Sequence, residues 1–451
     1  MAGIHELPTE ILTKILLAAL PTYWFRSRPF SRILAISQVC RRWRAICLGT
    51  PRLWQRVSYV ERKGADEWRD EDVAALREYL QRSAGQTLTV TMGRYAVRNK
   101  DAMNPLVGEL PQPCVRDLWA SVFAESRRWR VARFVLDEDA PIIVPYDEPL
   151  DVPDLEEASV MCPGDINFRY PIQFNDDSAF RWFENAPKLR RLCVAEPFSA
   201  SVVKVAWERL THLDLSRSPE HYLMQYVAEI LPRCTSLVHL VAESWIYGLG
   251  MGRFEGFPVV EMPTLRTLYL GGDAIVLSCY LHVPRLERFA CDMNTLNCPD
   301  QRRDAFLLFC ERNALPDLRH LYLTSRFDNW RYISPMLERM PGLTYLHIDY
   351  CQERRYFAAN PRKLCAISAV ASLRTLSLQM DEGEWTSPPI AALFVAELVK
   401  LPNLAKFEMW NVEGDSAFDD QRLEGLRARG VVIERHREYV RLPRDSDVVW
   451  G

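Results

Sequence analysis

The sequence predicts an α/β fold: a short helical head, then an irregular solenoid with parallel strands on its concave face and helices outside. Three observations lead there. Two amphipathic runs fill the first fifty or so residues. A phrase then recurs nine times: a leucine, two residues, an apolar residue, one residue, another apolar residue. Between its copies lie stretches whose apolar residues follow the 3.6-residue period of helices, whereas the phrase itself has the two-residue alternation of strands.

The head comes first. Leu7, Ile11, Leu12, Ile15, Leu16 and Ala19 recur at helical spacing, with Thr9, Glu10, Thr13 and Lys14 opposite. Pro8 suits the first helical position, where its missing N–H costs nothing and its fixed φ is already helical. A second run puts Ile33, Ile36, Cys40, Trp43 and Cys47 on one stripe, widened by Leu34, Val39 and Ile46. Gly49-Thr50-Pro51 stops it, and Leu53-Trp54 adds an apolar anchor. Helices this short bury too little surface to stand alone, so part of their apolar face needs cover from the next domain or from a partner.

The order Leu7-Pro8-Thr9-Glu10-Ile11-Leu12, then Ser37-Gln38-Val39-Cys40-Arg41-Arg42-Trp43, then Pro51-Arg52-Leu53-Trp54 resembles an F-box. Such modules dock substrate receptors onto a Skp-family adaptor and, through it, a cullin–RING ligase. The stretch Pro21 to Phe30 makes the first connection longer than is usual for the family. The resemblance implies adaptor contact through Leu7, Pro8, Ile11, Leu12, Ile15, Leu34, Val39, Cys40, Trp43, Ile46, Pro51, Leu53 and Trp54.

Composition narrows the rest. The net charge of −3 over 451 residues gives no basic field for nucleic acid or an acidic membrane. No apolar run approaches the roughly 18 residues that span a bilayer. The twelve cysteines include no Cys-x-x-Cys pair, a usage that fits free thiols in cytosol or nucleus, not a disulfide framework or a zinc site. No glycine-rich phosphate loop, dinucleotide fingerprint or His-Glu-x-x-His is present. The glycines between Gly248 and Gly256 lead to Pro258 and read as a loop, and Asp147 to Glu157 reads as an acidic, solvated linker. No cofactor, metal or catalytic residue is expected.

The repeat phrase starts at Leu189, Leu210, Leu237, Leu265, Leu286, Leu318, Leu343, Leu373 and Leu404. Its mean step of about 27 residues lies in the range of leucine-rich repeats. The steps are uneven and the usual asparagine is mostly missing, so the array resembles the degenerate repeats that follow F-boxes in many fungal proteins. Helical period over Pro219–Leu231, Asp300–Asn313, Arg331–Met340 and Pro389–Val399 supplies the crossovers that parallel strands need. Earlier, Leu53–Tyr59, Thr87–Thr91 and Trp129–Leu136 read as strands, Asp72–Arg82 and Val115–Arg127 as helices, and Gly430–Ile433 as the last strand. The expected domains are an F-box over 1–57, irregular first repeats over 58–128, the solenoid over 129–437 and a polar tail over 438–451.

Residues between the apolar positions of each strand face the other way. On the concave side this places His212, His239, Tyr269, Arg288, His320, Tyr322, Tyr345, His347, Asp349 and Trp410, residue types that anchor protein interfaces. The expectation is a non-enzymatic substrate receptor of a Skp–cullin–F-box ubiquitin ligase, cytoplasmic or nuclear, whose repeats bind a protein. A scaffold outside ubiquitin transfer, or an enzyme with a site between repeats, are the alternatives.

Overall fold

In the computed structural model Pro8 leads directly into helix α1, Thr9–Ala19, its carbonyl accepting from the N–H groups of Ile11 and Leu12. The proline therefore sits at the cap, one residue before the expected position. The second amphipathic run forms two helices, α2 (Pro29–Ser37) and α3 (Arg41–Gly49). The break falls at Cys40, which is fully extended and whose Sγ accepts the Trp43 N–H at 3.5 Å. Pro51–Trp54 is a 3-10 turn, not the start of a strand as expected, and it drives Leu53 and Trp54 into the core.

The structure describes residues 7–20, 29–62, 70–95, 113–135, 147–161, 180–195, 202–216, 220–244, 258–292, 299–324, 336–337, 339–350, 370–380, 395–410 and 420–437. The long first connection and the polar tail lie outside them. The chain divides into two compact units, Met1–Ala206 and Trp207–Gly451.

In the first unit the described residues follow the three helices with five parallel strands: β1 (Arg56–Arg62), β2 (Leu88–Tyr95), β3 (Trp129–Val135), β4 (Glu157–Met161) and β5 (Arg191–Ala195). Each pairs with its neighbour in sequence. Helices α4 (Asp70–Arg82) and α5 (Pro113–Phe123) cross between the first three strands. Trp54 locks the head to this framework. Its indole N–H donates to the Cys47 carbonyl at 2.7 Å, its ring meets Tyr79 edge-on at 5.0 Å, and the Arg82 guanidinium lies over its face at 4.8 Å. Tyr79 in turn donates to the Arg56 carbonyl at 2.8 Å. Further along, Trp119, Phe123, Trp129, Phe134 and Trp182 pack ring against ring. At the β2–β3 seam a Cβ on Gly93 would meet the Val135 side chain at 2.3 Å, so only glycine fits.

The segment 147–161 is not a solvated linker. Val152 and Leu155 are fully buried, and the chain runs into β4. Leu155, Ala158 and Val160 spell the repeat phrase with alanine in a leucine position, which is why a search for leucines passes over it.

Among the described residues the second unit has nine strands in one parallel sheet: β6 (His212–Ser216), β7 (His239–Ser244), β9 (Thr267–Gly272), β11 (Arg288–Asp292), β12 (His320–Thr324), β13 (Tyr345–Tyr350), β14 (Thr375–Met380), β15 (Lys406–Trp410) and β16 (Val432–His436). A separate two-stranded ribbon, β8 (Val260–Glu261) with β10 (Leu281–His282), was not anticipated. The apolar positions of the phrase line up exactly across strands: Leu268, Phe289, Leu321, Leu346, Leu376 and Phe407 form one row, all fully buried. Helix Pro299–Arg312 covers this side, with Phe309 against Phe289 at 5.0 Å. Buried Asn313 ends that helix and pins it, accepting from the Val283 N–H at 2.7 Å and donating to the Leu281 and Phe309 carbonyls.

Candidate protein-interaction surfaces

Two surfaces carry the residues singled out by sequence, one on the helices and one on the strands. On the helices the burial splits the expected adaptor set by side. Leu12, Ile46, Leu53 and Trp54 belong to the module's own core and offer nothing to a partner. A helix 3.6 residues per turn that buries Leu12 and Leu16 turns Ile11 and Ile15 outward. Ile11, Ile15, Leu34 and Val39 are exposed, Val39 at 61%, and Pro8 with them. Leu7, Cys40, Trp43 and Pro51 are half-buried. Leu48 joins the exposed set although the sequence reading left it out; it lies one residue beyond Cys47 and so off the buried stripe. Five of the nine exposed large apolar residues among the described residues fall between Ile11 and Leu48.

On the second unit the strand residues opposite the leucine rows form three rows of their own. The first runs His212, His239, Thr267, Arg288, His320, Tyr345, Thr375, Lys406. It is half-buried except for exposed Arg288. His212 and His239 stack at 4.2 Å, and His320 stacks on Tyr345 at 5.5 Å.

The middle row is buried apart from half-buried Tyr322, and here the sequence expectation fails for two residues. Tyr269 and His347 are inside, not on an open face. The cause is the spacing of strands about 4.8 Å apart: large side chains in register cover one another. Tyr269 packs with Val241 and Ala290, and Tyr322 closes on that cluster. Tyr322 also lies 5.2 Å from Tyr345 and 5.9 Å from His347, so the expected patch of Tyr322, Tyr345 and His347 is brought together, as an interior cluster.

Ser377 is the hub of that cluster. Its Oγ meets His347 Nδ1 at 2.9 Å, accepts the Trp410 indole N–H at 3.0 Å and bonds the Tyr345 hydroxyl. One hydroxyl hydrogen and two lone pairs are thereby all in use. Burial pushes the His347 imidazole down to about 3, so it is neutral at physiological pH, and raises the Tyr345 phenol above its ordinary range. The Ser377–His347 pair has the groups of a nucleophile and a base, yet both residues are fully enclosed and the serine oxygen is saturated.

The third row includes half-buried Asp349 and Trp410, with Trp410 stacked on His436 at 3.8 Å. Between the first and middle rows Lys406 Nζ lies 2.7 Å from Glu408 and 2.9 Å from Glu434, which holds the Glu434 carboxyl below its usual range. Among the described residues no group of three or more His, Cys, Asp or Glu side chains is placed to hold a metal, and no helix is long and apolar enough to cross a membrane. The thiols of Cys234 and Cys310 are buried, each pushed up to about 12 by desolvation.

Residues 4–59 match the protein family described as F-box-like, a span that takes in α1, α2, α3, the Pro51–Trp54 turn and the start of β1. No curated protein matches the chain. The chain thus carries an F-box-like module ahead of its parallel strands.

Proposed function

We propose that the chain is the substrate-recognition subunit of a Skp–cullin–F-box ubiquitin ligase. The observation that carries this reading is the concentration of uncovered aliphatic side chains, Ile11, Ile15, Leu34, Val39 and Leu48, within the F-box-like span. Uncovered aliphatic side chains gathered in so short a span are costly in water and point to a partner site. Pro8, Ile11, Ile15, Leu34 and Val39 are the residues that would meet a Skp-family adaptor directly. Leu12, Ile46, Leu53 and Trp54 would support them from below.

Beyond the module, the strands form a leucine-rich-repeat solenoid in this proposal. Supporting it are the nine in-register parallel strands of the described residues, whose successive starts lie 21 to 32 residues apart, and the buried leucine row they share. The repeats hold a protein substrate and present it to a charged conjugating enzyme, so this chain contributes positioning while the covalent steps occur elsewhere. Unreactive buried thiols fit a reducing compartment, cytosol or nucleus.

The test is co-purification. Ile11→Asp with Ile15→Asp is expected to remove Skp-family adaptor and cullin from the purified chain with no change in thermal unfolding, because both side chains already face water. A wild-type chain that captures no such adaptor, or a double variant that captures it undiminished, would end the reading.

A further inference from the structure

On the strands, most cations at or beside the strand starts have a carboxylate within reach. Arg191 lies 4.0 Å from Glu157, Arg266 pairs with Glu287 at 3.4 Å, and Lys406 has Glu408 and Glu434. Three arginines of the second unit depart from this. Arg288 opens β11, Arg319 immediately precedes β12, and Arg374 immediately precedes β14; all three are exposed and none has an ion pair among the described residues.

Their spacing follows from the backbone. Arg288 is the register partner of His320, and the Arg319 N–H donates to the Glu287 carbonyl at 2.9 Å. The Thr344 N–H then donates to the Arg319 carbonyl, and the Arg374 N–H to the Thr344 carbonyl. Arg319 and Arg374 are thus two strand spacings apart, about 10 Å. Glu287, next to Arg288, is already paired with Arg266, and exposed Asp317, on the turn before β12, is the other carboxylate beside these arginines in sequence, so the three guanidiniums stay in excess. The local field is felt by His320, whose imidazole is held below its usual range by burial and then by the positive charges of Arg288 and Arg319.

We infer that the exposed starts of β11, β12 and β14 form a docking strip for an Asp/Glu-rich segment of a protein partner. The inference rests on the receptor reading and names the chemistry of the substrate. Guanidiniums left without internal carboxylates supply bidentate donors for external ones. With most of the middle row buried, the exposed guanidiniums of this margin are the cations most open to a ligand on the described strand face. The chain's overall charge of −3 gives nucleic acid no wider basic track to follow.

The test is fluorescence anisotropy of the full chain with a labelled deca-glutamate peptide, and with deca-glutamine for comparison. Deca-glutamate is expected to bind more tightly, to weaken at least about tenfold in Arg288→Ala/Arg319→Ala, and to weaken as salt is raised. Arg127→Ala/Arg181→Ala removes the same charge from two exposed, ion-paired arginines of the first unit and is expected to bind as wild type does. Equal binding of both peptides, an equal loss in the control pair, or full binding by the Arg288/Arg319 variant overturns the strip. So does tighter binding of a phosphoserine peptide or an oligonucleotide of the same charge. The assay needs no adaptor, so its failure and a failure of adaptor capture are read separately.

Discussion

The helical module and the strand face treat their large side chains in opposite ways. The module leaves Ile11, Ile15, Leu34, Val39 and Leu48 in water, whereas the strand face takes Tyr269 and His347 inside and half-covers Tyr322, Tyr345 and Trp410. The geometry of the elements explains the contrast. A short helix can turn only one stripe toward a small core, and every apolar residue off that stripe waits for another protein. Parallel strands bring side chains from successive repeats close enough to cover each other, so an apolar or aromatic row satisfies itself. Apolar contact is therefore left for the module, and charge for the margin of the strand face.

The sharpest way to break this comparison is to exchange the two sides of α1. Leu12→Ala empties a fully buried site and is expected to cost about 3 to 5 kcal/mol of stability. Ile11→Ala, one residue away, is expected to change stability by less than about 1 kcal/mol while weakening adaptor capture. Urea unfolding of the two variants measures both; similar losses would mean that the exposed stripe is already covered.

On the strand face the corresponding probe is the Ser377 hub. Ser377→Ala removes one oxygen and leaves His347 Nδ1, the Tyr345 hydroxyl and the Trp410 indole without it. Leaving buried polar groups unpaired is expected to cost about 2 to 3 kcal/mol. If the cluster were an open binding surface, water would replace the serine and the variant would unfold like wild type.

Much of this division could be read from residue order, and its limits have physical causes. The leucine phrase located eight of the nine sheet strands described in the second unit, because fully buried rows demand large aliphatics at fixed spacing. It missed β4, where Ala158 does the same work at smaller volume beside the large aromatics of the first unit. The head's two stripes were visible, yet which residues of α1 face a partner depends on how α3 and Trp54 pack behind it, a tertiary fact. The burial of His347 was also illegible, since alternation along one strand says which side a residue faces but not how neighbouring strands cover that side. The unpaired arginines needed the register: only the pairing of β11 with β12 and the ladder through Thr344 show which cations lack acids.

The smallest expected effect sharpens the comparison through pH. His347 is neutral in the fold with its imidazole lowered to about 3, against an ordinary value near 6.5 in the unfolded chain. Above pH 6.5 neither state holds the proton, and the residue adds no pH dependence. As pH falls below 6.5 the unfolded chain takes up the proton first, so stability is lost progressively down to about pH 3 and no further. Between pH 7 and pH 5.5 the loss from this one group is about 1 kcal/mol. His347→Phe abolishes the titration, so the stability difference between pH 7 and pH 5.5 should shrink by that amount relative to wild type. The same difference in both proteins would show an imidazole that charges freely, and hence a middle row open to water.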